Sequence, residues 1–155
     1  MKLRLLAVGH KMPAWVEQGF AEYAKRLPAD CSIELVEIPP GHRAKNTSKE
    51  KAMQQEADAL RKAIRPQDHV VALDVKGSNW STEQLSQQLE GWRMQGGDVA
   101  LLVGGPDGMT AEVLALARQR WSLSALTLPH PLVRVLLAEQ LYRAWSILQG
   151  HPYHK

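Results

Sequence analysis

Short apolar runs alternate along this chain with longer stretches whose apolar residues recur at helical spacing. Lys2–Val8 is the first such run and predicts a strand. In Pro13–Leu27, Val16, Phe20, Tyr23, Ala24 and Leu27 stand at i, i+4, i+7, i+8 and i+11, one face of a helix, with Pro13 suited to a first helical turn. Ser32–Ile38 alternates, is rich in β-branched residues and predicts a second strand. Thr47 with Glu50 predicts a capping box opening a helix to about Ile64. His69–Asp74 predicts a third strand, followed by the turn-rich Val75–Asn79. Ser81 with Gln84 predicts the cap of a helix through Met94. Asp98–Val103 is almost wholly apolar, as a central parallel strand covered on both faces requires. A glycine-rich loop follows at Gly104–Gly108, then a short helix over Thr110–Arg120 and a fifth strand within Trp121–Leu128. Pro131–Gln149 predicts a long helix, with Gly150 as its C-terminal cap. The alternation predicts one α/β domain over residues 1–155, with a mostly parallel sheet flanked by helices.

Composition narrows the class without naming it. The apolar fraction is 45% and the charged fraction 23%, ordinary for a folded domain. No window approaches the roughly 20 apolar residues of a membrane span. The basic start and apolar run of the N-terminus are too short for a signal peptide, and Lys11 follows where a cleavage site would stand, so a cytoplasmic protein is expected. The single cysteine, Cys31, fits a reducing compartment and has no activating partner nearby in sequence, which makes it a buried or incidental thiol. The net charge is +3, mildly basic. Five tryptophans suit core packing first and base stacking second.

Three segments carry candidate chemistry. Gly104-Gly105-Pro106-Asp107-Gly108 follows the buried fourth strand, at the strand end where open parallel sheets bind ligands. It is neither a dinucleotide fingerprint nor a P-loop, and reads equally well as a strand-to-helix turn. The second segment, Ser122–Pro131, ends in Pro-His-Pro, which restricts where the His130 imidazole points. A held imidazole suits acid–base work, and a rigid helix entry explains the prolines as well. The third, Gly150–Lys155, gathers two histidines, Tyr153 and Lys155. It offers no complete metal ligand set, and its aromatic and cationic groups suit stacking on bases and pairing with phosphate. The last helix carries Arg134 and Arg143 in an otherwise apolar surface, fit for self-association or for a buried core position. Pro39–Lys49, with His42, Arg43 and Lys45, reads as a basic surface loop.

Together these segments resemble the ribosomal RNA large subunit methyltransferase H family, a branch of the SPOUT methyltransferases. The resemblance is carried by Met1–Pro13, Ile38–Asn46, the GGPDG loop, and above all WSLSALTLPHPLVRVLLAEQLYRAWSI followed by HPYHK. It implies a deep C-terminal trefoil knot involving Leu73–Ser78, Gly104–Met109 and Leu123–His130. It implies S-adenosylmethionine held by Leu73, Gly104, Leu123, Ser124, Ala125, Leu126, Thr127 and Leu128, and no metal. It further implies a homodimer that methylates N3 of a pseudouridine in 23S rRNA on the assembled ribosome. His130, Tyr153 and His154 are then the catalytic candidates, and Arg43, Lys45, Arg134, Arg143 and Lys155 the RNA contacts. The family's basic residue near the chain end, commonly Arg, is Lys155 here. Two other readings stay open on the residues alone. One is a non-catalytic RNA- or ribosome-binding factor; the other is a hydrolase pairing His130 with Ser122 or Ser124, although no nucleophile elbow is present.

Overall fold

In the computed structural model, which describes Met1–Lys155, the two side-chain periodicities sort into a three-layer sandwich. The elements are β1 (Lys2–Val8), α1 (Ala14–Ala24), β2 (Ser32–Ile38), α2 (Lys49–Ala63), β3 (His69–Asn79), α3 (Thr82–Gln95), β4 (Val99–Val103), α4 (Ala111–Leu114), β5 (Gln119–Ser122) and α5 (His130–Leu148). Short 3₁₀ turns stand at Ala29–Cys31 and Pro152–His154. All five strands run parallel, in the order β2-β1-β4-β3-β5.

The central strands are buried on both faces, so each alternate set of side chains builds its own core. Leu3, Leu5 and Ala7 of β1 join Leu101 of β4, Leu85 and Leu89 of α3, and Leu137 and Leu141 of α5. Leu6 and Val8 join Leu102 of β4, Leu60 of α2 and Val113 of α4 on the other side. Helices α1, α3 and α5 therefore share one face, where α5 packs on both its neighbours. Arg4 falls on the α2 face of the sheet and is buried, held by Asp68 at 2.8 Å and by the Ala63 carbonyl at 3.1 Å.

Three sequence expectations shift in detail and two hold. Helix α2 is capped by Ser48, whose hydroxyl accepts the Lys51 N–H, and not by Thr47. The expected Ser81–Gln84 capping box is present. The turn-rich Val75–Asn79 belongs to β3, which leaves its β5 neighbour after Leu73 and rejoins it at Ser78. The helix expected over Thr110–Arg120 is a single turn, because Gln119 and Arg120 already pair with Val71 and Ala72 as part of β5. Gly150 adopts a φ of +67° just beyond the last helical turn, and its N–H bonds the Ile147 carbonyl, as its capping role requires.

Cys31 is buried, and burial pushes its thiol up to about 11, so it is an unreactive core side chain. Trp92 and Trp121 are buried, while Trp15 is 54% exposed. No helix is long and apolar enough to cross a membrane.

Candidate active site

The carboxyl ends of β3, β4 and β5 each lead into an irregular segment, and these three segments enclose one cavity of about 780 Å³. The first is the excursion of β3, with Leu73 and Lys76; the second is the Gly104–Met109 loop; the third is Ser122–His130. The Gly104 position demands its glycine, since a Cβ there would stand 2.9 Å from Met109 Cγ and 3.0 Å from the Gly108 carbonyl carbon. The loop turns back on itself through a Gly108 N–H to Gly105 carbonyl bond of 3.0 Å. Gly77 allows β3 to lie against β5, because a Cβ there would meet the Arg120 backbone at 2.5 Å.

His130 closes one wall. Arg134 donates from Nε to His130 Nε2 at 3.0 Å. A guanidinium only donates, so His130 Nε2 accepts, and the ring proton resides on Nδ1, 3.3 Å from the Gly104 carbonyl oxygen. Burial, and after it the charge of Arg134, hold His130 below the usual imidazole range, against weaker upward pulls from the Gly104 carbonyl and Glu37. Both ring nitrogens are thus engaged, which makes His130 an orienting group for Gly104 more than a free base.

Arg134 corrects an expectation. It is 1% exposed and donates to Glu37 Oε2 at 2.9 Å and to the Gly9 carbonyl at 3.1 Å, in addition to His130. A side chain committed in this way is not an RNA contact. Arg43 is also largely committed: it pairs with the buried Glu56 at 2.6 Å and with Asp107 at 3.1 Å, tying the basic loop and α2 to the GGPDG loop. Lys45 is exposed. Neither serine pairs with His130, since Ser122 Oγ donates to the Ser124 carbonyl and Ser124 Oγ accepts the Leu126 N–H. The hydrolase reading falls with that geometry.

Of the expected cofactor residues, Leu73, Gly104, Leu123, Ser124, Leu126 and Leu128 line the cavity, whereas Ala125 and Thr127 do not. The tail lies elsewhere. Tyr153 packs 4.6 Å from the Tyr142 ring, donates its hydroxyl to Glu139 at 2.8 Å and lies under the Arg143 guanidinium at 4.8 Å. Burial first, then the Glu139 carboxylate, push the Tyr153 hydroxyl up to about 12, so it stays a proton donor. His154 is half-buried, with Nδ1 hidden and unpartnered. Lys155 is exposed. Glu139 is nine residues along α5 from His130, roughly 13 Å of helix rise, and no tail residue lines the cavity. Sequence reasoning passed over Glu37, Glu56 and Gly9, whose roles depend on contacts between distant segments.

Known proteins agree with this architecture. Residues 1–154 match the family model described as "Predicted SPOUT methyltransferase". The chain is 62% identical over its whole length to the ribosomal RNA large subunit methyltransferase H of Hahella chejuensis, covering 99% of that protein. It is 60% identical to the protein of the same name from Chromohalobacter salexigens, with 100% of both covered. Among solved structures, a probable methylase family protein from Haemophilus influenzae Rd KW20 superposes with a TM-score of 0.55 at 14% identity, over 99% of this chain and 70% of that one. TrmJ from Z. mobilis gives 0.54 at 17% identity, over 93% and 70%. These two likenesses concern the fold. Full-length matches of this kind leave one conclusion: the chain belongs to the SPOUT methyltransferases, in the ribosomal RNA large subunit methyltransferase H branch.

Proposed function

We propose that the protein is a cytoplasmic S-adenosylmethionine-dependent methyltransferase acting, as a homodimer, on N3 of a pseudouridine in 23S rRNA of the assembled ribosome. The observation that carries the reading is the single cavity enclosed by the ends of β3, β4 and β5. Its size falls within the roughly 300–1,000 Å³ of small-molecule sites. Its residues fit the cofactor: Leu73, Leu123 and Leu128 offer apolar walls for an adenine, and the glycine loop exposes backbone donors and acceptors for its edge. The cofactor supplies a methyl group already activated on a sulfonium. The chain has then to orient donor and acceptor and to exclude water. The three cavity segments are also those that a trefoil knot would thread, and we include the knot in the proposal.

In this reading His130 keeps the Gly104 carbonyl aimed through its Nδ1 proton. The acceptor's imide proton must leave, and His154, half-buried on the tail, is our candidate to take it. Tyr153, kept protonated, and Arg143 beside it would hold the nucleotide by hydrogen bonding and stacking, with Lys45 and Lys155 on the phosphates. Since the tail docks away from its own cavity, it would serve the cavity of the second copy. The half-buried Leu132, Val135 and Leu136 of α5 and the exposed Trp15 of α1 supply apolar surface for that pairing.

The test is transfer of labelled methyl from S-adenosylmethionine to 70S ribosomes and to 50S subunits from cells lacking the protein, with the product nucleotide located by mass spectrometry. Label at one pseudouridine, favouring 70S, supports the reading. Cofactor binding with no label on either particle assigns a different substrate, and loss of both removes the enzyme.

A further inference from the structure

A second cavity, of about 470 Å³, lies along the outer edge of the sheet. Its walls are Lys76 and Ser78 of β3, Trp80, Gln88 of α3, and Arg118, Gln119 and Arg120 at β5. Strand β5 pairs only with β3, so this edge faces outward. Every other arginine of the chain forms an ion pair with a carboxylate. Arg118 and Arg120 do not, and neither they nor Lys76 spends its side chain on any internal hydrogen bond, although all three are exposed at one place. The floor beneath them is rigid and neutral. Gln119 donates to Gln88 at 2.7 Å and accepts from the Trp92 indole at 2.9 Å, with His69 Nε2 at 2.7 Å from the same oxygen. Beside it, Trp80 stacks on Trp121 at 5.1 Å. Three uncompensated cations on a preorganised polar floor make a strong local attraction for an anion.

The position of this cavity selects the anion. Lys76 and Arg120 line both the polar cavity and the donor cavity, so the two adjoin. We propose that Lys76, Arg118 and Arg120 bind backbone phosphates of the RNA strand flanking the nucleotide to be methylated, with Trp80 as an aromatic wall. This rests on the methyltransferase reading above. A strand that delivers one base to the donor cavity must carry its neighbouring phosphates past the rim, and cations supplied by two adjacent strands track such a chain. Base identity is then read elsewhere, since phosphate contacts position without specifying.

The test uses Arg118→Gln, because Arg118 lines the polar cavity alone, with Lys62→Gln on α2 as a control of equal charge change. The full-length protein is titrated with 70S ribosomes from cells lacking it over a range of salt, and S-adenosylmethionine affinity, melting temperature and methyl transfer to the same ribosomes are followed in parallel. The expected result for Arg118→Gln is a several-fold weaker Kd for the ribosome and a salt slope smaller by roughly 0.7–0.9, as for one lost phosphate contact. Arg118→Gln with Arg120→Gln should lose about twice that slope. Arg118→Lys, which keeps the charge, should retain most of the affinity. KM for the ribosome should rise while kcat and cofactor affinity stay the same. A ribosome affinity and salt slope for Arg118→Gln no different from those of Lys62→Gln would overturn the subsite, as would a wild-type protein that does not bind the ribosome. If the wild type binds the ribosome through Arg118 yet transfers no methyl group, the subsite stands and the enzyme reading fails.

Discussion

At the scale of single residues, the chain from Glu37 through Arg134 and His130 to the Gly104 carbonyl links the outer strand β2 to the cavity loop. Arg134 is buried, and its truncation leaves the Gly9 carbonyl and His130 Nε2 without their donors. Arg134→Ala should cost about 1–3 kcal/mol through the buried acceptors it leaves unsatisfied, read by urea denaturation. Once its stability loss is allowed for, it should leave the salt slope of RNA binding unchanged, the opposite of what a phosphate contact would give. His130 adds a pH dependence. Its folded pKa lies below the unfolded value of about 6.5, so on acidification the unfolded chain takes up the proton first. Stability from this group is present above that value and is lost as pH falls toward the folded pKa. His130→Asn removes this contribution, so the gap in melting temperature between wild type and variant should narrow between pH 7 and pH 5. A constant gap would mean that the imidazole is not held neutral. The sequence showed that His130 was restrained, through its flanking prolines. It could not show the partner at Arg134 Nε, because a helical i, i+4 neighbour becomes a hydrogen bond only when the arginine is forced inward.

At the scale of elements, the site depends on where strands stop pairing. β3 departs from β5 after Leu73 and returns at Ser78, and the excursion becomes a cavity wall. The turn-rich composition of Val75–Asn79 marked the irregularity correctly, but the resumed pairing required the β5 edge beside it. The same edge explains the shortened α4: the short helix expected over Thr110–Arg120 gives way to the hydrogen bonds and burial available to Gln119, Arg120 and Trp121 in the sheet. The Gly104 loop is tight enough to test directly. Gly104→Ala should weaken S-adenosylmethionine binding about tenfold or more, roughly 1.4 kcal/mol, in a calorimetric titration, while the helix content by circular dichroism stays constant. Unchanged affinity would show that the loop can shift around a methyl group and is not a rigid part of the pocket. Arg118-Gln119-Arg120 carries an alternation that the helix expected over this segment obscured, since a strand places alternate residues on one side.

At the scale of the whole molecule, the separation of tail and cavity is the main consequence of the fold. Tyr153 is anchored to Glu139, Tyr142 and Arg143, and no residue of the tail lines the cavity of its own chain. If the tail completes a partner's site, a Gly104→Ala subunit and a Tyr153→Phe subunit should complement one another. Random mixing would make half the dimers mixed, each with one intact site, so about a quarter of wild-type activity should return. Recovery no greater than the sum of the separate variants would place tail and cavity function within one chain. Sedimentation of the wild type as a monomer would remove the dimer altogether.

Much of this protein was determined by local pattern. The first four strands and the four long helices, the parallel sheet, the Ser81–Gln84 box and the glycine loop at a strand end follow from periodicities of 2 and 3.6 and from capping chemistry within a few residues. The distinctive C-terminal segments carried the family as well. Tertiary structure alone decided which charges were free. Arg134 and Arg43 are spent on Glu37 and Glu56, whereas Arg118 and Arg120 are left unpaired, and nothing in their immediate sequence distinguishes the two cases. A guanidinium's availability depends on whether a carboxylate from a distant segment is folded within hydrogen-bonding range, and that is set by the sheet order rather than by neighbours in the chain.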